Sequence, residues 1–198
     1  LVARSPGLPL HVTAVLKVAE NLEVSARGRE FTYNDLAGEL PEVVTRLLDT
    51  LTREEADAFR AACVLPSFDI PLAAAVGNVG GADVEKAISD ALVDKDDSSV
   101  YPYRVHDEIR RLVRLDRTSR GYWTTEEWTT AARRGMDAAV KRIAAGIKDD
   151  TAALQAIALA INIGHEWNIY PSELAGLVQD GPSIVALVPN IPPVSEAR

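Results

Sequence analysis

"YRVHDEIRRLV", residues 103–113, decides how the chain is read, because the side-chain pattern changes period inside it. Tyr103-Arg104-Val105 reads as the end of an extended strand, whereas Ile109, Leu112 and Val113 recur at the three-to-four-residue spacing of a helix face. His106 and Asp107 fall on the seam. An aspartate at a helix start accepts hydrogen bonds from backbone N–H groups that have no intrahelical partner, and its charge suits the helix dipole. That accounts for Asp107 and leaves His106 open.

Working outward, Leu92-Val93 and Tyr101 to Val105 are short extended runs separated by "DKDDSSV", which reads as a β-hairpin with a polar tip carrying Asp94, Asp96 and Asp97. Helix signals precede it. Val84, Ala87, Ile88, Ala91 and Leu92 form the clearest helical stripe in the chain. Before that, Pro71 opens a short helix with Leu72, Ala75, Val76 and Val79, closed by Gly80-Gly81. Thr52 and Glu55 stand as a T-x-x-E capping box for a helix faced by Ala56, Phe59, Ala62 and Cys63, preceded by an apolar face of Val44, Leu47, Leu48 and Leu51. Val12, Val15, Leu16, Ala19 and Leu22 predict a first amphipathic helix, with Pro9 in its first turn.

Helix, short helix, helix and hairpin, running into a further helix at Asp107, is the order of a winged helix over residues 41–118. After "DRTSRGY", Thr124 and Glu127 form a second capping box and open a long helix toward Ile147. Asp149-Asp150 can cap the next, carrying Leu154, Ile157, Ala158 and Ile161, and Pro171 to Val178 suggests another. Residues 119–180 therefore read as antiparallel helix pairs resembling tetratricopeptide repeats, without a convincing 34-residue consensus. Prolines at 182, 189, 192 and 193 make residues 181–198 a linker or a strand of chain resting on the helices. The expected fold class is mainly α, a winged helix with a small β-hairpin followed by an antiparallel helical region.

Composition narrows the function. The formal charge of -8 has the wrong sign for a chain whose main task is holding phosphate backbones. Residues 83–97 add six acids, Asp83, Glu85, Asp90, Asp94, Asp96 and Asp97, against Lys86 and Lys95. Arg110, Arg111, Arg114, Arg117 and Arg120 are basic, and a solvated or partner-facing helix side is their better reading. Trp123, Trp128 and Trp167 read as packing residues between helices. With Cys63 the only cysteine, no intrachain disulfide forms and a reducing compartment is expected. No apolar run reaches the roughly 18 residues of a membrane span, so a cytoplasmic location is expected. A start at Leu1, with helix signals inside ten residues, reads as a piece of a longer chain.

No complete active site is visible. His11, His106 and His165 lie in separate elements without a second ligand at metal spacing, and the hairpin-tip acids read as solvated turn residues. "GNVGGADVEK" lacks the G-x-x-x-x-G-K-[ST] of a phosphate-binding loop.

Motif order carries a resemblance. "SPGLPLHVTAVLKVA" resembles the Gly-Leu-Pro-Leu segment of STAND-class ATPases of the NB-ARC type, and "YRVHDEIRRLVR" resembles their Met-His-Asp motif, with Val105 in place of Met. "LLDTLTREEADAFRAACVLPSFDIPLAAAV" and "VEKAISDALVDKD" resemble the family's winged-helix core between the two. The resemblance covers residues 5–118 and implies that residues 1–40 end a helical lid subdomain. It implies that Pro9 packs near the adenine of bound ADP or ATP, and that His106 reaches the β-phosphate of ADP. A proline ring offers an apolar face, and an imidazole nitrogen can donate to a phosphate oxygen. The competing account of His106 is a packed histidine beside an ordinary cap. The family's P-loop and acidic Mg²⁺ ligand are absent from these residues, so the chain is expected to be no enzyme by itself and to hold no nucleotide alone. Its implied partners are an upstream P-loop ATPase domain and a protein bound through the C-terminal helical region, with nucleic acid and membrane not expected. The alternative is a winged-helix DNA-binding transcriptional regulator with a helical dimerisation domain.

Overall fold

Thr52 and Glu55 form the expected capping box: the Glu55 N–H donates to Thr52 Oγ1 at 3.2 Å and the Thr52 N–H to Glu55 Oε2 at 3.0 Å. They launch the helix about which the others assemble. A computed structural model describes residues 12, 14–19, 39–88, 92–145 and 150–169. Its elements are α1 (Leu40–Thr50), α2 (Arg53–Val64), α3 (Ile70–Gly77), α4 (Gly81–Ala87), β1 (Val93–Lys95), β2 (Tyr103–Val105), α5 (Asp107–Leu115), α6 (Thr125–Ala144) and α7 (Asp150–Trp167), with residues 14–19 also helical. The fold is mainly helical with one two-stranded antiparallel sheet.

Helix α2 touches α3, α4, α5, α6 and β2. Its second half is buried on every side, from Ala58 through Val64, and so is Leu65 just past its end. Alanines at 58, 61 and 62 let neighbours approach closely, and Phe59 and Val64 fill the space between them. Arg60 is the exception in kind, a guanidinium only 2% exposed inside this core. It donates to Ser119 Oγ at 3.0 Å and the Arg120 carbonyl at 3.1 Å, and pairs with Asp57, which also accepts from Trp123 Nε1 at 2.8 Å. Its charge is thus used to hold the connection from α5 to α6.

The expected hairpin forms with shifted strand ends: β1 takes in Asp94 and Lys95 from the run read as the tip and β2 begins only at Tyr103, with Val93 opposite Val105, Asp94 opposite Arg104 and Lys95 opposite Tyr103. A bridge between Phe68 and Tyr103 joins it to the loop before α3, and their rings stack at 5.8 Å. Helices α6 and α7 pair with each other, and α6 lies on α3. There Gly135 lets the backbones meet, since a Cβ at that site would stand 3.1 Å from Val76 and 3.3 Å from Leu65. Arg142 makes a bidentate bond to Asp69 at 2.7 and 2.9 Å, while Asp69 also caps α3 by accepting from the Leu72 N–H at 2.8 Å.

Several expectations need correction. Helix α3 ends at Gly77 with Asn78 in the left-handed region at φ 54°, so Gly80-Gly81 does not close it; Gly80 is the N-cap of α4 and Gly81 its first residue. Ala75 is exposed and Ala73 buried, and the described part of α4 ends at Ala87, before the stripe reaches Leu92. The first helix buries Ala14 and Val18 and exposes Val12 and Leu16. Helix α7 buries Ala156, Leu159, Ala160 and Ile163 and exposes Ala158 and Ile161. Both segments are apolar on more than one side, so periodicity alone does not choose the face. The helix expected over residues 171–178 and the proline-rich tail lie outside the described residues.

Asp116 organises the turn after α5. Burial pushes its carboxyl up, but hydrogen bonds from Ser119 and Thr118 outweigh this and hold it below the usual carboxylate range. The unfolded chain therefore takes up this proton first as pH falls. The stabilisation is complete above about pH 4 and is lost on further acidification. Asp116→Asn is expected to flatten the acid limb of a stability-versus-pH curve below about pH 4, measured by urea unfolding at each pH. An acid limb as steep as that of the wild type would show that the network does not discriminate between protonation states.

Candidate functional site at the hairpin–helix seam

His106 supplies the N-cap of α5 with its backbone, at φ −51° and ψ 132°, and its side chain makes no capping bond. Its N–H donates to the Leu92 carbonyl at 3.2 Å, which extends the hairpin pairing by one step and pins the seam. The imidazole is 37% exposed, with Nδ1 3.4 Å from Asp94 Oδ2. A packed core histidine is therefore not what stands here. Asp107 does not occupy the expected N-cap position either. It is the first helical residue, and its carboxylate accepts from Arg104 at 2.6 Å, a bond that holds its pKa below the usual range. Its negative charge still lies in the first turn, where the dipole favours it.

The three acids assigned to the hairpin tip separate. Asp96 turns the tip, accepting from the Ser98 N–H at 3.0 Å and Ser98 Oγ at 2.6 Å, and Asp97 pairs with Lys95 at 2.8 Å. Asp94 belongs to β1 and turns to His106. Its placement was missed because the acidic run conceals where the strand ends, although the register of a hairpin set Asp94 diagonally across from residue 106. Pro9 lies outside the described residues.

Of the five arginines read as a solvated or partner-facing side, two depart from that reading. Arg110 and Arg114 turn inward onto the last carbonyls of α2. Arg110 donates to Cys63 O at 3.0 Å and Val64 O at 3.2 Å, and Arg114 to the same oxygens at 2.8 and 2.9 Å. Both pair with Glu166 near the end of α7. Trp167 donates its Nε1–H to Val64 O at 3.2 Å and lies under the Arg114 guanidinium at 4.7 Å. It stacks on Trp128 at 6.2 Å, which meets Trp123 edge-on at 4.9 Å. Arg111 is a surface arginine, paired with Glu108 on its own helix, and Arg117 and Arg120 are exposed as well.

Between the seam and α7 runs a groove of about 570 Å³, lined by Arg104, Asp107 and Arg110 on one side and Asn162, His165 and Glu166 on the other. It brings His165 to the α5 start, but His106 is not among its lining residues. Among the described residues no group of three or more His, Cys, Asp or Glu could hold a metal ion. Burial pushes the Cys63 thiol up to about 12, which leaves it a packing residue without thiolate reactivity at neutral pH. No helix among the described residues is long and apolar enough to cross a membrane.

Glu166→Ala is expected to destabilise the chain by about 1–3 kcal/mol, because two partly buried guanidiniums lose their carboxylate. A double-mutant cycle with Arg114→Ala should give a coupling of about 0.5–3 kcal/mol in urea unfolding, whereas additive effects would reduce the pair to a surface contact. Compared with known proteins, the chain matches no protein family, no curated protein and no solved structure.

Proposed function

We propose that the chain is the nucleotide-sensing lid portion of a STAND-like signalling ATP-binding protein, in which a winged-helix unit couples ADP or ATP state to a tetratricopeptide-like helical region that binds a protein partner. The observation that carries this reading is His106. It stands at the junction of hairpin and helix, its backbone held by Leu92, its imidazole partly exposed and engaged by one carboxylate. A histidine so placed can meet a phosphate from a neighbouring domain without disturbing the core. ADP would be contacted by His106 and, on the resemblance, by Pro9, with the P-loop and Mg²⁺ ligand supplied by the ATPase core.

The lid reading also suits the contacts between α5 and α7. A sensor transmits a nucleotide-dependent movement only if the sensing seam and the partner-binding helices move together. Arg110 and Arg114 join them through Glu166. The same contacts weaken the DNA-regulator alternative, because two arginines it would use for phosphates are turned into the protein.

The test compares two samples. In the full-length gene product, His106→Ala is expected to weaken ADP binding roughly tenfold or more, since a charge-assisted hydrogen bond is worth about 1.5–3 kcal/mol. In the 198-residue chain the same substitution should change unfolding stability by less than about 0.5 kcal/mol. Unaltered ADP affinity, or a gene product without a P-loop, overturns the reading.

A further inference from the structure

Asp94 and His106 come from different elements, yet each gives the other its charged contact. Around them the charges are already matched. Arg104 of β2 is bound to Asp107 of α5, and Lys95 pairs with Asp97. Asp94 is left facing the imidazole, Oδ2 at 3.4 Å from Nδ1. Hairpin register supports this approach: Asp94 pairs with Arg104, and the His106 N–H bonds the Leu92 carbonyl, so the two side chains are diagonal neighbours. The contact does not serve the core, since the Asp94 side chain is 66% exposed.

We propose that Asp94 is a positioning residue for His106: its carboxylate, 3.4 Å from Nδ1, draws that side of the imidazole toward β1 and leaves Nε2 to receive an anionic phosphate oxygen. This rests on the nucleotide-sensing reading above and extends it to a residue that the motif resemblance does not include. Which ring nitrogen of a neutral histidine carries the proton is set by the bond the other nitrogen makes. With Asp94 on the Nδ1 side, Nε2 is the nitrogen that meets a phosphate oxygen, and an imidazolium ring there donates from Nε2 to the phosphate while Asp94 faces the other nitrogen. Arg104 and Asp107, the other charged groups at the seam, largely cancel each other through their own pair.

Nitrogen-15 NMR of the 198-residue chain reads the ring directly. Neutral His106 should be the Nδ1–H tautomer in the wild type and in Asp94→Glu, and shift toward Nε2–H in Asp94→Ala. An Nε2–H ring in the wild type, or no change in Asp94→Ala, overturns the proposal whatever the nucleotide does. The full-length protein separates this proposal from the reading beneath it, with ADP as the probe. Asp94→Ala should weaken ADP binding about three- to tenfold, below the 10–100-fold that a supporting carboxylate can contribute behind a metal-bound histidine, because this pair is exposed. Asp94→Glu should recover most of that loss. In a His106→Ala background Asp94→Ala should have no further effect. An undiminished effect there means that Asp94 acts independently of the ring and defeats the proposal. If His106→Ala itself leaves ADP affinity unchanged, the sensing reading falls, and the tautomer result still stands or falls by itself.

Discussion

The carbonyls of Cys63 and Val64 are the constraint on which the rest of the structure depends. A helix ends with carbonyl groups that have no intrahelical donor, and a helix end inside a protein must find donors elsewhere. Helix α2 ends inside the core, with Val64 and Leu65 fully buried. Its carbonyls receive two N–H groups from Arg110, two from Arg114 and one from Trp167. Cationic donors suit this negative end of the dipole as well as its hydrogen-bonding need. The long arginine stems add apolar cover. One local problem, the burial of a helix terminus, thereby draws α5 and α7 to the same point.

Glu166 follows from that choice. Two guanidiniums brought side by side repel, and burial together with the neighbouring Arg114 charge lowers the Arg110 pKa. A carboxylate from α7 placed against both relieves the repulsion and adds a second bond between helices that are far apart in sequence. At the other end of α5, the hairpin places Asp94 of β1 beside His106 at the helix start. The seam proposed to sense a phosphate and the helix proposed to belong to a partner-binding region are therefore attached to one short helix, nine residues long. A displacement of the seam has a short mechanical route to α7.

How much of this was legible in the sequence depends on the distance over which each signal acts. Both capping boxes, the hairpin and the helix start at 107 follow from residues within a few positions of one another, and each forms. The Phe68–Tyr103 bridge, the Asp94–His106 contact and the inward turn of Arg110 and Arg114 depend on partners 12 to 56 positions away, which no local pattern specifies. One signal was present for the arginines: positions 110 and 114 are one helical turn apart, while 111 lies on another side. That spacing marks a shared face but not whether the face meets water or carbonyls. Of the two residues that the family resemblance singles out, His106 lies at an accessible seam and Pro9 lies outside the described residues. The role of either in nucleotide binding rests on chemistry that the sequence resemblance suggests.

The central claim is that the α2 carbonyls join the hairpin-bearing helices and the α6–α7 pair into one cooperative unit. Native-state hydrogen exchange under increasing denaturant tests it most directly, because it measures the opening free energy of each helix separately. The account predicts that the slowest amides of α2, α5 and α7 converge on a single opening free energy with a single denaturant dependence. Exchange of α6 and α7 through a separate opening of lower free energy, with α2 and α5 still protected, would contradict it.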